Sequence, residues 1–248
     1  LCDCDGVYRM DLSDVIDYHE KKQADITIVC HPEEIGNPSS YDIVKSDETG
    51  RVIGLEFNPK NKGKAKYYSN IMVINRTFLL NLINESISHG YKNFRDDIIL
   101  VNLRRYNVYA YDFNGYHATI DSLSSYFKHN MELLDKKVRD ELFGARDIYT
   151  KVRDSAPTKY GFSSLVKNSL VSDGCVVEGT VENSILFRGV KVGKGAVVRN
   201  SVIMQDTVIG DGVKLNCVIT DKNVVIRDNR VLSGCEVQPY FLAKGTMI

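Results

Sequence analysis

The sequence predicts an α/β domain over residues 1–136 followed by a parallel β-helix of hexapeptide units over residues 163–248, with a linker over 137–162. Three observations predict it. Strand-like and helix-like segments alternate through the first half. A short Asn motif recurs through the second half. Between them lies a stretch of mixed charge and little periodicity that contains Asp154-Ser-Ala-Pro-Thr.

The elements of the first half follow in order. Leu1 to Val7 reads as a strand. Leu12 to Gln23 has helix-like apolar spacing, with Ser13 placed to cap it. Ala24 to Cys30 is a dense β-branched run. Tyr41-Asp-Ile-Val and Arg51-Val-Ile-Gly-Leu flank Asp47-Glu-Thr-Gly50, a hairpin signal with glycine at the turn. Ser69 to Ile74 is a buried strand. Thr77 opens a helix through Leu79, Leu80, Leu82 and Ile83. Tyr106 to Tyr111 is a strand, and Asp121 to Leu134 a helix. This alternation points to a largely parallel sheet.

The second half carries two nested periods. Asn168-Ser-Leu-Val, Asn183-Ser-Ile-Leu, Asn200-Ser-Val-Ile and Asn216-Cys-Val-Ile recur at spacings of 15, 17 and 16. Within them, units such as Val192-Gly-Lys-Gly-Ala-Val and Ile209-Gly-Asp-Gly-Val-Lys repeat every six residues. An aliphatic residue at every sixth place fills a narrow interior. Glycine suits the sharp corners, so three flat faces close one coil. Asparagine at a fixed corner is expected to form a hydrogen-bonded ladder. Histidines occur at 19, 31, 89, 117 and 129, none of them in the repeat. Acyl transfer, which needs a base between coils, is thereby disfavoured.

Composition narrows the function classes. The formal net charge is zero, which disfavours a nucleic-acid partner or an anionic membrane held by bulk electrostatics. The six cysteines include no C-x-x-C and read as reduced thiols of a cytoplasmic protein. No apolar run reaches the ~18 residues of a membrane span, and no signal peptide is visible. The chain opens with Leu1, inside what reads as a strand, so further sequence is expected upstream.

Several segments resemble one family. Asp5-Gly-Val-Tyr-Arg-Met-Asp resembles G-D-H-I-Y-K-M-D, and Arg51-Val-Ile-Gly-Leu-Glu-Phe-Asn-Pro resembles R-V-x-x-F-E-E-K-P. Ser69-Asn-Ile-Met-Val-Ile resembles S-M-G-I-Y-I, and Phe94-Arg-Asp-Asp-Ile-Ile resembles F-G-K-D-I-I. Gly115-Tyr-His-Ala-Thr-Ile-Asp-Ser-Leu-Ser-Ser-Tyr resembles G-Y-W-K-D-V-G-T-I-E-S-Y. The chain is similar, nearly throughout, to ADP-glucose pyrophosphorylases (glucose-1-phosphate adenylyltransferases), and among them to the GlgD-type regulatory subunits. The resemblance implies a Rossmann-like nucleotidyltransferase domain, incomplete at its N-terminus, and a left-handed parallel β-helix.

The same resemblance shows what the site lacks. Two carboxylates hold the family's Mg²⁺. Asp5 stands at the first position, where it also reads as a plain turn residue. Thr119 stands at the second, and a neutral hydroxyl is a weak substitute. Ala118 replaces the neighbouring lysine, and Asp121 a glycine. Asn58 replaces the lysine that grips the sugar phosphate, and Asp42 replaces a glycine that lies against the sugar. A carboxylate there is expected to repel a phosphosugar. Glu56 and Ser69 keep substrate-binding positions of the family. The Gly-rich phosphate loop would lie upstream. Losing one preorganised donor lowers a rate by ~10²–10³, so Asn58, Ala118 and Thr119 together imply little activity and no assigned metal. The expected partner is a catalytic subunit, with self-association through the β-helix and a sugar-phosphate effector as further expectations. Two alternatives remain open. One is an active enzyme in which Lys60, Lys62, Lys64 and Lys66 replace the lost charge. The other is a scaffold that senses a sugar phosphate.

Overall fold

A computed structural model describes residues 1–34, 42–56, 64–144, 148–149 and 154–248. The chain divides into two compact units, Leu1–His117 and Ala118–Ile248.

The first unit begins with a short strand, β1 (Gly6–Tyr8), and a helix, α1 (Leu12–Lys21). Asp11 caps α1 and Ser13 does not: the Asp11 carboxylate accepts from the Ser13 N–H at 3.0 Å. The cap is the last residue with extended backbone, and that residue is Asp11. Next come β2 (Ile26–Glu34), β3 (Ile43–Ser46), β4 (Val52–Glu56) and β5 (Lys64–Ile74). Helix α2 (Arg76–His89), a π-helical segment (Phe94–Leu100) and β6 (Val108–Asp112) complete the layer.

The strand order is β4-β3-β5-β2-β6. Only β2 and β6 are parallel; the other pairs are antiparallel. The expectation of a largely parallel sheet is therefore corrected. A parallel pair needs a long crossover, and only the α2 and π-helical passage between β5 and β6 supplies one. The β3–β4 connection is a tight hairpin. There the Asp47 carboxylate accepts from the Thr49 N–H at 2.8 Å and from the Arg51 N–H at 3.0 Å. Gly50 takes φ +85° in that turn. The turn also reaches β6: the Ala110 N–H donates to the Gly50 carbonyl at 2.9 Å, and Arg51 bridges Tyr109. The two edge strands are thus stitched at one end.

Each face of this sheet has its own core. Ile26, Ile28, Val44, Val52, Leu82, Ile98 and Ile99 fill one. Val15 of α1 packs with Val29 and Ile71 on the other. Period-two alternation along β5 serves both, with Tyr68, Met72 and Ile74 turned to the first and Ile71 and Val73 to the second.

The second unit holds most of β7 (His117–Thr119), which straddles the division, then α3 (Leu123–Glu132) and α4 (Lys136–Phe143). The segment expected as a linker, 137–162, contains most of α4 and the first solenoid strand.

The solenoid is three parallel sheets of five short strands. The first sheet is β8 (Lys159–Tyr160), β11 (Val176–Val177), β14 (Lys191–Val192), β17 (Val208–Ile209) and β20 (Val225–Ile226). The second is β9 (Leu165–Lys167), β12 (Thr180–Glu182), β15 (Val197–Arg199), β18 (Lys214–Asn216) and β21 (Val231–Ser233). The third is β10 (Leu170–Val171), β13 (Ile185–Leu186), β16 (Val202–Ile203), β19 (Val218–Thr220) and β22 (Tyr240–Leu242). Val177, Val192, Ile209 and Ile226 point inward from the first sheet, Val181, Val198 and Leu215 from the second, and Leu186, Ile203 and Leu242 from the third.

Register sets the true period. Leu170 lies beside Ile185, Ile185 beside Val202, and Val202 beside Ile219, giving coils of 15, 17 and 17 residues. The corners in left-handed backbone are Asn168, Asn183, Asn200 and then Cys217. The fourth Asn of the motif, Asn216, sits one residue before the corner. The asparagine ladder exists in two steps: Asn168 donates to Asn183 at 2.8 Å and Asn200 to Asn216 at 2.9 Å. A second ladder runs beneath it. Ser169, Ser184 and Ser201 each accept from the backbone N–H one coil on, at 3.1 Å. Gly193 allows close stacking at another corner, where a Cβ would lie 2.4 Å from Asp211 Oδ1.

Helix α3 lies on the outer face of the third sheet. Phe127, 2% exposed, packs with Val202, Cys217 and Ile219. That explains why β16 and β19 are buried on both faces, whereas strands of the other sheets alternate.

Candidate functional site

Four of the singled-out residues fall in the first unit. Asp5 lies in a bend before β1. Asp42 immediately precedes β3. Glu56 ends β4, and its carboxylate meets Lys45 Nζ at 2.8 Å. Ser69 lies in β5, 6% exposed, and its Oγ has no hydrogen-bond partner.

Register tells which of these share a face. Ile43 is opposite both Glu56 and Tyr67, and Tyr67 is opposite His31. Paired residues project to the same side of a sheet. Glu56, Tyr67, Ser69 and His31 therefore occupy one face. Asp42 is turned to the other, where its carboxylate pairs with Arg95 of the π-helical segment. The charge of Asp42, expected to repel a phosphosugar, thus has a partner within the chain. Alternation directs its side chain away from Glu56 and Ser69, and Arg95 neutralises it. Arg95 also donates to Asp96 from Nε at 2.9 Å, and these carboxylates, Asp96 first, hold its guanidinium more firmly protonated.

Sequence reasoning did not single out the rings on the Glu56 and Ser69 face. His31 Nδ1 lies 3.0 Å from the Phe113 carbonyl. A carbonyl only accepts, so Nδ1 donates this bond. His117 is 5.6 Å from His31 between ring centroids and stacks on Tyr8 at 6.2 Å. The available signal was the place of His117 inside the Gly115 to Tyr126 segment. Arg9 was missed as well. Its Nη1 and Nη2 are enclosed and have no hydrogen-bond partner.

Behind the sheet, burial pushes the Cys30 thiol up to about 12 and raises the Tyr68 hydroxyl too. Lys66, one of the lysines considered as a replacement charge, pairs with Asp112 at 2.6 Å. Asn58, Lys60 and Lys62 lie outside the described residues, as does the side chain of Lys64.

The second unit holds the other two positions. Ala118 is 2% exposed in β7, and Thr119 follows it. Asp121 accepts from Ser122 Oγ at 3.0 Å, beside the cap of α3. At the two positions that the family resemblance implies as metal ligands, the sequence carries one carboxylate, Asp5, and one neutral hydroxyl, Thr119. Among the described residues, no three His, Cys, Asp or Glu side chains gather closely enough to hold an ion. One carboxylate and a neutral hydroxyl are a poor donor set for Mg²⁺.

Comparison with known proteins assigns both halves. The nucleotidyl transferase family matches residues 2–136, and the GlmU-like C-terminal hexapeptide family matches residues 156–237. The glycogen biosynthesis protein GlgD of Bacillus subtilis is 36% identical over 97% of this chain and 68% of its own length. The glucose-1-phosphate adenylyltransferase of Acetivibrio thermocellus is 31% identical over 98% of this chain and 59% of its own. That of Geobacillus stearothermophilus is 34% identical over 79% of this chain and 51% of its own. The chain therefore spans about two thirds of the first relative and about half to three fifths of the other two. No helix among the described residues is long and apolar enough to cross a membrane.

Proposed function

The chain belongs to the nucleotidyl transferase family, and from that premise we propose that it serves glycogen biosynthesis as a GlgD-type accessory subunit. It supports a catalytic glucose-1-phosphate adenylyltransferase, which joins ATP and glucose 1-phosphate into ADP-glucose and diphosphate. It has little activity of its own and works in the cytoplasm. The observation that carries this reading is the pair of metal positions, Asp5 and Thr119, of which only one bears a carboxylate. Ala118 and Asn58 support it. The parallel solenoid is the natural surface for self-association.

The test is reconstitution. Full-length protein is mixed with the catalytic subunit and followed by co-elution and by ADP-glucose synthesis. Co-elution with a change in rate is expected. Separate elution and an unchanged rate would remove the reading. Asn58→Lys, Ala118→Lys and Thr119→Asp combined should raise activity if those losses are its cause.

A second reading has one observation in its favour. The buried, unpartnered Ser69 Oγ, on the same face as Glu56, suits a hydroxyl-bearing ligand, so the domain would sense a sugar phosphate. Calorimetry with glucose 1-phosphate, showing tight binding but no effect on the partner, would select it. An independently active enzyme is less favoured, because Lys66 is already paired with Asp112.

A further inference from the structure

We propose that Arg9 is an oxyanion receptor in the first unit, built to take the phosphate group of a small molecule. Arg9 follows β1 and stands two residues before Asp11, the cap of α1. Its neighbours Tyr8 and Met10 both pack into the apolar cluster of Val15, Val29 and Ile71. The two terminal nitrogens of Arg9, Nη1 and Nη2, are shut off from solvent, and neither has an acceptor.

A guanidinium cannot be deprotonated in proteins, so it has no way out of this by losing its charge. Its enclosed N–H groups therefore need an acceptor from outside the chain. Other arginines show how this fold treats the group. Arg95, Arg188 and Arg199 each reach a carboxylate, and Arg139 reaches the Leu133 and Leu134 carbonyls. Arg9 alone among these has its two end nitrogens enclosed and unanswered. Two adjacent nitrogens of one guanidinium match two oxygens of one phosphate, a pairing that fixes direction as well as charge. The phosphate can belong to a sugar phosphate, a nucleotide or inorganic phosphate, and the probes below separate them. The proposal does not depend on a catalytic partner, so it stands or falls apart from the accessory-subunit reading.

The experiment uses full-length protein, Arg9→Lys and Arg9→Met, with thermal unfolding and calorimetry against inorganic phosphate, glucose 1-phosphate and ATP. At least one probe should raise the Tm of the wild type. Its Kd should weaken at least about tenfold in Arg9→Met, with part of the affinity kept in Arg9→Lys. Ligand-free Arg9→Met should be no less stable than the wild type, because a similar apolar chain removes an unanswered charge. Three results would overturn the proposal: no response to any probe, a response that Arg9→Met retains in full, or a ligand-free Arg9→Met that loses stability while the wild type ignores phosphate.

Discussion

The carboxylate of Asp42, immediately before β3, is ion-paired with Arg95 of the π-helical segment 53 residues later. This contact joins the start of a strand to a segment whose Ile98 and Ile99 belong to the main core. Both side chains are partly shielded, at 16% and 35% exposure. The pair should contribute more than a surface ion pair and less than a fully buried one. Asp42→Asn and Arg95→Gln should each lower stability by about 1–2 kcal/mol, and the double variant by less than their sum. A double-mutant cycle in urea measures this, and effects that add within about 0.3 kcal/mol would show that the two residues are not coupled.

Phe127 anchors α3 to the outer face of the third solenoid sheet. Truncating a buried phenylalanine typically removes about 3–5 kcal/mol. Phe127→Ala should therefore destabilise the second unit by about 3 kcal/mol. Circular dichroism through urea unfolding is the measurement, since the chain has no tryptophan. A loss below about 1 kcal/mol would mean that α3 is held by something else.

Asn200 turns a solenoid corner at φ 46°. Asparagine and glycine tolerate that conformation, and a β-branched side chain does not. Asn200→Val should lower stability by roughly 1–2 kcal/mol or more, and Asn200→Gly by clearly less. Equal losses from the two would locate the role of Asn200 in its bond to Asn216 instead.

Burial lowers the pKa of His19 below its ordinary 6.5, against a smaller opposing pull from Glu20 and Asp25. Its Nδ1 lies 2.9 Å from Thr27 Oγ1. The fold thus favours the neutral ring. That stability is complete above a pH of about 6.5 and is lost as pH falls through the lower folded value. The Tm should drop between about pH 7.5 and about pH 5, and drop less in His19→Gln. An unchanged acid sensitivity in the variant would assign the drop to other groups.

Thiol chemistry should divide along burial. Cys30 is buried, with its thiol pushed up to about 12. Cys2, Cys4 and Cys235 are exposed. Alkylation of native protein near neutral pH, read by mass spectrometry, should modify these three and spare Cys30. Rapid labelling of Cys30 would show that the sheet opens.

The motifs singled out Asp5, Glu56, Ser69, Ala118 and Thr119 because residue type and neighbours mark those positions. They did not foresee the Arg95 partner of Asp42, because it is far away in sequence. They passed over Arg9, although it lies inside the Asp5 to Asp11 segment, because an arginine looks the same in sequence whether its nitrogens are solvated or enclosed. His31 and His117 escaped notice because β2 and β7 are distant in the chain, and only the fold brings the two rings within 5.6 Å.

The sequence by itself determined the solenoid, since each coil stacks on the coil just before it and a local period contains all the information needed. It also determined where α1, α2 and α3 lie along the chain, because their apolar spacing is local. The tertiary structure alone decided the strand directions of the first sheet, the slip that puts Cys217 rather than Asn216 at the corner, and the docking of α3 on β16 and β19. It alone paired Asp42 with Arg95 and enclosed Arg9 without an acceptor. Register and burial depend on what lies across the sheet or above the coil, and those neighbours are set by folding rather than by adjacency in the chain.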